Sequence, residues 1–296
     1  MRTAQRSQGN RTAALPFESL TTEATERWIE NRPSGGARAL RLDELWSYRE
    51  LVFFLALRDI KARYKQALFG FAWSVVQPIA GVLVLTLVFQ RLAGVPSDGI
   101  PYPIFALLGF LLWSYFAASL GNASASLVTN VSLVTKVYFA RLVTPIAALI
   151  PGLVHLAIGL VVLAILMPVY DVTPGWQVVF FPLSLVGAMV VALGAGLLLA
   201  TLNVKYRDVG HALGFLTQLW FLATPVGYPT SLVPDEWRWA YALNPMTGVV
   251  DLGRWSLFGS PAPGGYLAVS AVTGLLLLAA GLLYFQRTER QFADVI

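Results

Sequence analysis

The side chains able to do chemistry are few, and their spacing excludes most reactions. The 296-residue chain has no Cys, so thiol nucleophiles, thiolate metal sites and disulfides are absent. Its two His, His155 and His211, are too few and too isolated for a metal centre. The acidic trio Asp235, Glu236 and Asp251 has no spacing that suits metal-assisted or acid–base glycosyl transfer, which needs carboxylates gathered at one face. The phosphate-cradling loop G-x-x-x-x-G-K-[ST] is also missing, so the chain hydrolyses no ATP by itself. It reads as no enzyme, with no cofactor or metal of its own. What remains is binding chemistry: basic and aromatic groups interleave in Arg58-Asp59-Ile60-Lys61-Ala62-Arg63-Tyr64-Lys65 and again across residues 130–141.

The elements that hold these groups are written in the hydropathy. Hydrophobic residues make up 56% and charged residues 12%, about half the charged share of a soluble domain, with mean hydropathy +0.64. Such a chain cannot hide its apolar surface in water. A helix crosses the roughly 30 Å hydrocarbon layer in about 20 apolar residues. Six stretches qualify: 71–89, 102–121, 142–167, 177–202, 212–230 and 266–285, none containing Asp, Glu, Lys or Arg. The expectation is an all-α membrane protein with six transmembrane helices.

Positive residues are retained on the cytoplasmic side. Of the 21 Lys and Arg, 18 fall in 1–70, 122–141, 203–211 and 286–296, and 3 in 90–101, 168–176 and 231–265. Both termini of a multi-pass membrane protein are therefore expected in the cytoplasm. The basic N-terminus is followed by some 60 polar residues rather than a short apolar core, so no cleaved signal peptide is expected.

The expected organisation is a flexible cytoplasmic tail over 1–42, an amphipathic interfacial helix over 43–70, a transmembrane domain over 71–285 and a short cytoplasmic tail over 286–296. In the interfacial segment Phe53, Leu57, Ile60 and Tyr64 share one helical stripe flanked by Arg58, Lys61 and Lys65. The outer segment 231–265 carries Trp237, Trp239, Tyr241, Trp255 and Phe258 among aliphatics, too apolar for a free loop. It reads as short re-entrant helices before the last span, with a plain aromatic belt as the alternative. Ala188, Ala192 and Gly196 recur at four-residue spacing and would let helices approach closely, between two copies or within one.

Energy coupling discriminates among transporters. An ion-driven carrier usually places ionisable groups inside its spans despite their cost. Here His155 is the one titratable candidate at membrane depth, and a lone His there is more often a packing residue. If transport is active, the motor must be another polypeptide docking on the two basic-aromatic cytoplasmic features. Composition alone leaves those features equally suited to anchoring on lipid headgroups.

Six segments carry a more specific likeness: RDIKARYKQALFGFAWSVVQP (58–78), DGIPYPIFALLGFLLWSYF (98–116), NVSLVTKVYFARLVTP (130–145), LNVKYRDV (202–209), QLWFLATPVGY (218–228) and YALNPMTGVVDLGRWSLFG (241–259). In order, and across about residues 45–287, they resemble the permease subunits of ABC-2 type polysaccharide exporters, the O-antigen (lipopolysaccharide), teichoic-acid and related glycan transporters. Ala140 departs from the family's usual Pro in a KVYFPR-like stretch, and the N-terminal tail is longer than the fold requires.

The resemblance implies a homodimer paired with two nucleotide-binding ATPase subunits, which would bind the ATP and Mg. It also implies export of a glycan linked to undecaprenyl diphosphate, from the cytoplasmic to the outer side. The ATPase contacts would include Arg63, Tyr64, Lys136, Tyr138 and Arg141. The glycan path, formed mainly by the first and fifth spans, would be lined by Trp73, Gln77, Trp113, Trp220, Phe221 and Tyr228. Aromatic rings suit a sliding polymer because sugar C–H faces stack on them without one fixed hydroxyl pattern. Arg58, Lys61 and Arg63 would attract the lipid diphosphate at the cytoplasmic entrance. An ATP-independent channel or lipid scramblase fits the uncharged spans as an alternative; ion conductance or lipid flipping without ATP would favour it.

Overall fold

The computed structural model of the chain describes residues 42–65, 70–137, 139–206, 208–289 and 292. The expected tail before Leu42, the coupling candidate Tyr138 and most of the last residues lie outside the described residues. Every regular element among the described residues is helical. In chain order these are α1 (Leu42–Ser47), α2 (Arg49–Lys65), α3 (Gly70–Leu85) running into a π turn (Thr86–Leu92), α4 (Tyr102–Thr129), α5 (Val131–Lys136), α6 (Val143–Ala147) and α7 (Ile150–Val169). A 3-10 turn (Trp176–Phe180) then leads into α8 (Phe181–Lys205), followed by α9 (Asp208–Leu222), a 3-10 turn (Thr230–Leu232), α10 (Asp235–Tyr241), α11 (Pro245–Phe258) and α12 (Tyr266–Thr288).

Proline starts several of them. Pro stands in the first turn of α4, α7, α8 and α11, where its missing N–H leaves no helical bond unmade. α4 is the axis of the fold. Ile104, Leu108, Leu112, Phe116, Ala123 and Leu127 along it are fully buried, and α3, α7, α8, α9 and α11 pack around it. The peripheral helices instead expose Leu83, Val84 and Leu87 on the first span, Val161 and Ile165 on α7, and Val272, Leu275 and Leu276 on α12. Apolar faces of that extent suit lipid rather than water.

The small-residue repeat of α8 is spent within the chain. Ala188 and Ala192 are fully buried. A Cβ on Gly194 would stand 2.6 Å from the backbone nitrogen of Leu278 in α12, and one on Gly196 would stand 2.6 Å from the Ala123 methyl in α4. Gly281 of α12 faces Gly194 in turn, at a distance that leaves no room for a side chain. α4, α8 and α12 therefore form a close-packed triple.

Two sequence expectations change shape. The stretch 212–230 does not form one continuous span: α9 stops at Leu222 after 15 residues, a rise of roughly 22 Å, and the chain then runs non-helically through Pro225, Gly227 and Pro229. Pro forces the preceding residue out of the helical region, and two of them with a Gly between end the helix. Among the described residues five helices, rather than six, are long and apolar enough to cross a membrane: Ala72–Leu92, Tyr102–Thr129, Val143–Val169, Trp176–Lys205 and Tyr266–Thr288. The segment expected as an interfacial helix is likewise more embedded than its stripe suggested. Leu55 and Ala56 of α2 are buried, and Leu55 joins Leu127, Phe139, Val143, Phe285 and Phe292 in a second apolar cluster. Phe53 and Phe54 remain exposed, and Leu57, Ile60 and Tyr64 are half-buried.

Candidate functional site

Three of the six path candidates meet in one aromatic cluster between α4 and α9. Trp113 packs on Phe116, Phe221 and Trp220 at centroid separations of 5.1, 5.6 and 6.5 Å, and Phe116 meets Trp220 at 4.8 Å. Trp113 is only 6% exposed, so in this structure it is a packing residue behind the other two. Trp220 is half-buried and its Nε1 donates to Asn244 Oδ1 at 2.8 Å. Trp73 and Gln77 stand apart from this cluster on the exposed side of α3, with Trp73 64% exposed. Tyr228 lies in the non-helical turn, where its hydroxyl donates to the Leu222 carbonyl at 2.8 Å and lies 2.7 Å from the Tyr241 hydroxyl.

That turn is the structural problem that α10, α11 and the start of α4 solve. Once the helix stops at Leu222, the carbonyls that follow have no helical donors, and buried unpaired carbonyls are costly. Arg254 of α11 donates to the Val226 carbonyl at 2.7 Å and to the Tyr228 carbonyl at 3.4 Å. The Tyr102 hydroxyl donates to the Gly227 carbonyl at 2.6 Å. Asn244, the N-cap of α11, accepts from the Met246 amide and donates to Ala223 O and Thr224 Oγ1, both at 3.0 Å. Arg254 is 2% exposed and its guanidinium carbon lies 3.5 Å from the centre of the Phe105 ring. Gly109 makes this approach possible, since a Cβ there would come within 2.9 Å of both the Arg254 guanidinium and the Val226 carbonyl.

Carboxylates pin the far side of the turn. Asp251 accepts from the Thr230 hydroxyl at 2.7 Å and Asp98 from the Ser231 hydroxyl at 2.7 Å. Burial pushes the Asp251 carboxyl up to about 6, against the lowering effect of the Thr230 hydrogen bond and the Arg254 charge. Arg238 of α10 pairs with Asp235 at 2.5 Å and donates to Val233 O and Ser231 O. Asp235 and Asp251 of the sequence trio are therefore scaffold residues, and the neighbouring Asp98 and Arg254 are not marked by any sequence pattern. The breaker pattern Pro225, Gly227, Pro229 was the available signal, because a helix end at membrane depth requires donors from elsewhere. Among the described residues no group of His, Cys, Asp or Glu is arranged to hold a metal ion.

The opposite end of α4 is built differently. Arg58 donates to Asp59 at 2.9 Å and to Asn130 Oδ1 at 2.8 Å, tying α2 to the end of α4. Lys61 and Arg63 are exposed on α2, and Lys136 is exposed at the end of α5. Tyr64 is half-buried, with its hydroxyl 3.5 Å from Ser74 Oγ. Arg141 donates to the Glu289 carbonyl, and its guanidinium lies 6.0 Å from the Phe292 ring, so the end of α12 braces the 130–141 loop.

Comparison with known proteins covers both regions. Residues 50–258 match the family described as ABC-2 type transporter. The chain is 33% identical over 258 residues to an O-antigen export system permease protein of Myxococcus xanthus, covering 86% of this chain and 98% of that protein. It is 26% identical over 248 residues to an O-antigen export system permease protein of Klebsiella pneumoniae, covering 83% and 95%. A polysialic acid transport protein of Escherichia coli is 24% identical over 241 residues, covering 79% and 92%.

Proposed function

The chain belongs to the ABC-2 type transporter family, and from that premise we propose that it is the permease subunit of an ATP-driven polysaccharide exporter. It moves an undecaprenyl-diphosphate-linked glycan from the cytoplasmic to the outer face of a bacterial inner membrane. The observation that carries this reading is the co-linear similarity to an O-antigen export permease over 86% of the chain. The absence of any nucleotide-binding loop supports a motor supplied by a separate ATPase, two copies of which serve two copies of this chain.

Within that reading, α9 and the turn after it make the fifth of six crossings, α10 and α11 re-enter the outer leaflet, and both termini are cytoplasmic. The glycan slides past Trp73, Gln77, Trp220, Phe221 and Tyr228, with Trp113 supporting the two α9 rings from behind. Arg63, Tyr64, Lys136, Tyr138 and Arg141 receive the ATPase. Arg58, Lys61 and Arg63 form the diphosphate entrance; because Arg58 already holds Asp59 and Asn130, Lys61 and Arg63 carry most of the free charge there.

The test is purification from the source cells under mild detergent. An ATPase should co-purify, and the pair should turn over ATP while this chain alone does not. Flipping of a polyprenyl-diphosphate oligosaccharide in liposomes by this chain without ATP would instead establish the scramblase alternative.

A further inference from the structure

On the outer side, α10, α11, the turn before them and the start of α12 enclose a cavity of about 450 Å³. That volume lies within the roughly 300–1,000 Å³ of small-ligand sites. Its walls mix three chemistries. Asp98, Asp235 and Asp251 supply acceptors, Arg238 and Arg254 supply positive charge, and Trp239 supplies an exposed aromatic face.

The balance of these groups selects the ligand class. Both guanidiniums are already engaged, Arg238 by Asp235 and two carbonyls, Arg254 by two carbonyls and the Phe105 ring. With three carboxylates against two arginines, the cavity offers no surplus charge to an anionic group such as phosphate or sialate. No carboxylate arrangement for a metal ion is present among the described residues either.

The carboxylates nevertheless keep acceptor capacity. Asp251 takes two hydroxyls, from Thr230 and Tyr266, and Asp98 takes one, from Ser231, out of the roughly four lone-pair sites a carboxylate has. A second, independent mark lies in the same wall. The buried Arg254 Nε has no hydrogen-bond partner, which is rare for a buried donor. Asp98 itself sits at φ 51, in the left-handed region next to Gly99 at φ 79, so its carboxylate is presented by a backbone conformation that few residues adopt.

Spare carboxylate acceptors, an unpaired buried N–H and a Trp face, with no surplus positive charge, are what a neutral sugar ring requires: hydroxyls to the carboxylates, an oxygen to the N–H and a C–H face on the indole. We propose that this cavity is a binding site for one or two neutral sugar residues of the exported glycan on the outer side of the membrane. The glycan's origin rests on the export reading above; the site itself stands on the cavity. A bound sugar here holds the emerging chain outside while the next segment enters.

The absence of Cys allows a direct test. Ala262, an exposed residue of the cavity wall with no polar side chain, is replaced as Ala262→Cys in the full-length protein in lipid nanodiscs, and its rate of reaction with a maleimide is followed. The probes are the lipid-free surface glycan of the source strain, neutral mannose and galactose trisaccharides, an α2,8-linked sialic acid trimer and inorganic phosphate. At least one neutral saccharide should slow labelling about tenfold near saturation, as expected for a site closed in proportion to its occupancy. The sialic acid trimer and phosphate should have no effect. Protection should vanish in Asp251→Asn and in Trp239→Ala, the latter a change at an exposed side chain that leaves the fold intact.

Lack of protection by every neutral saccharide, equal protection by the acidic probes, or protection that survives both substitutions would each overturn the proposal. None of those outcomes bears on whether surface glycan is exported through this chain. Conversely, protection in a protein whose deletion leaves surface glycan unchanged would retain the site and discard the export reading.

Discussion

The turn after α9, on the side proposed as outer, and the end of the bundle proposed as cytoplasmic hold similar numbers of ionic side chains and use them in opposite ways. At the outer turn Arg254 is 2% exposed and satisfies carbonyls that a broken helix left behind, while Asp98 and Asp251 are tied to hydroxyls of the same turn. At the opposite end Lys61 and Arg63 of α2 and Lys136 of α5 project into solvent. Buried charge holds backbone in a shape that no helix supplies, and exposed charge stands where the proposed partner would arrive. The contrast predicts that outer substitutions act through stability and inner ones through coupling.

The strongest test of that contrast is Arg254→Met. It leaves the Val226 and Tyr228 carbonyls without their donor, and each buried orphan costs about 1–3 kcal/mol. The thermal midpoint in detergent, read by fluorescence-detected size exclusion, should fall sharply and surface glycan should disappear with it. An unchanged midpoint would show that the turn holds itself.

Next in size is Gly109→Ala, which places a methyl 2.9 Å from the guanidinium and from Val226 O. Overpacking of this kind costs about 1–3 kcal/mol, and the same size-exclusion assay should register it. Gly121, around which an added Cβ would find open space, provides the control in the same helix.

Charge reversal of Arg63 and Lys136 to Glu should shift the midpoint by less than about 0.5 kcal/mol equivalent, as surface changes do. ATP turnover by the assembled pair should nevertheless fall. A large stability loss with normal turnover would erase the distinction between the two regions.

A pH dependence is expected as well. Burial raises the Asp251 carboxyl from 3.8 to about 6, so the folded protein binds that proton more tightly than the unfolded chain. The stabilisation is full below about pH 4 and is lost as pH rises to about 6. Asp98, Arg254, Tyr266 and Thr230 face this group and set the shift. The difference in midpoint between pH 4.5 and pH 7 should be smaller in Asp251→Asn, by an amount of order 1 kcal/mol. Equal slopes would place Asp251 outside the pH response.

Much of this was legible in the sequence, for physical reasons that also mark its limits. Four of the five long helices fall within a few residues of the apolar stretches, because lipid-spanning length is a local property of composition. The exception extends at its end: α4 continues to Thr129 through polar residues such as Asn122 and Ser126, whose tolerance depends on burial against α8 rather than on hydropathy. The fifth stretch takes another form because hydropathy counts Pro225 and Gly227 as acceptable membrane residues, whereas backbone geometry ends the helix before them. The small residues of α8 were visible, but only contact with Leu278 and Ala123 assigns them to packing inside one chain. The aromatic cluster is half legible: the sequence marks Trp113, Trp220 and Phe221 as aromatic faces for a glycan, and Phe116, which joins them, carries no such mark. Arg254 escaped notice because its meaning lies in carbonyls 26 and 28 positions earlier in the chain.

The account turns on export, and the most direct measurement is surface glycan in a strain lacking this gene. Deletion should remove polysaccharide from the outer surface and leave lipid-linked polymer inside the cell, with both reversed by the wild-type gene and not by Arg254→Met. Normal surface polysaccharide in the deletion strain, with no lipid-linked polymer held inside, would contradict it.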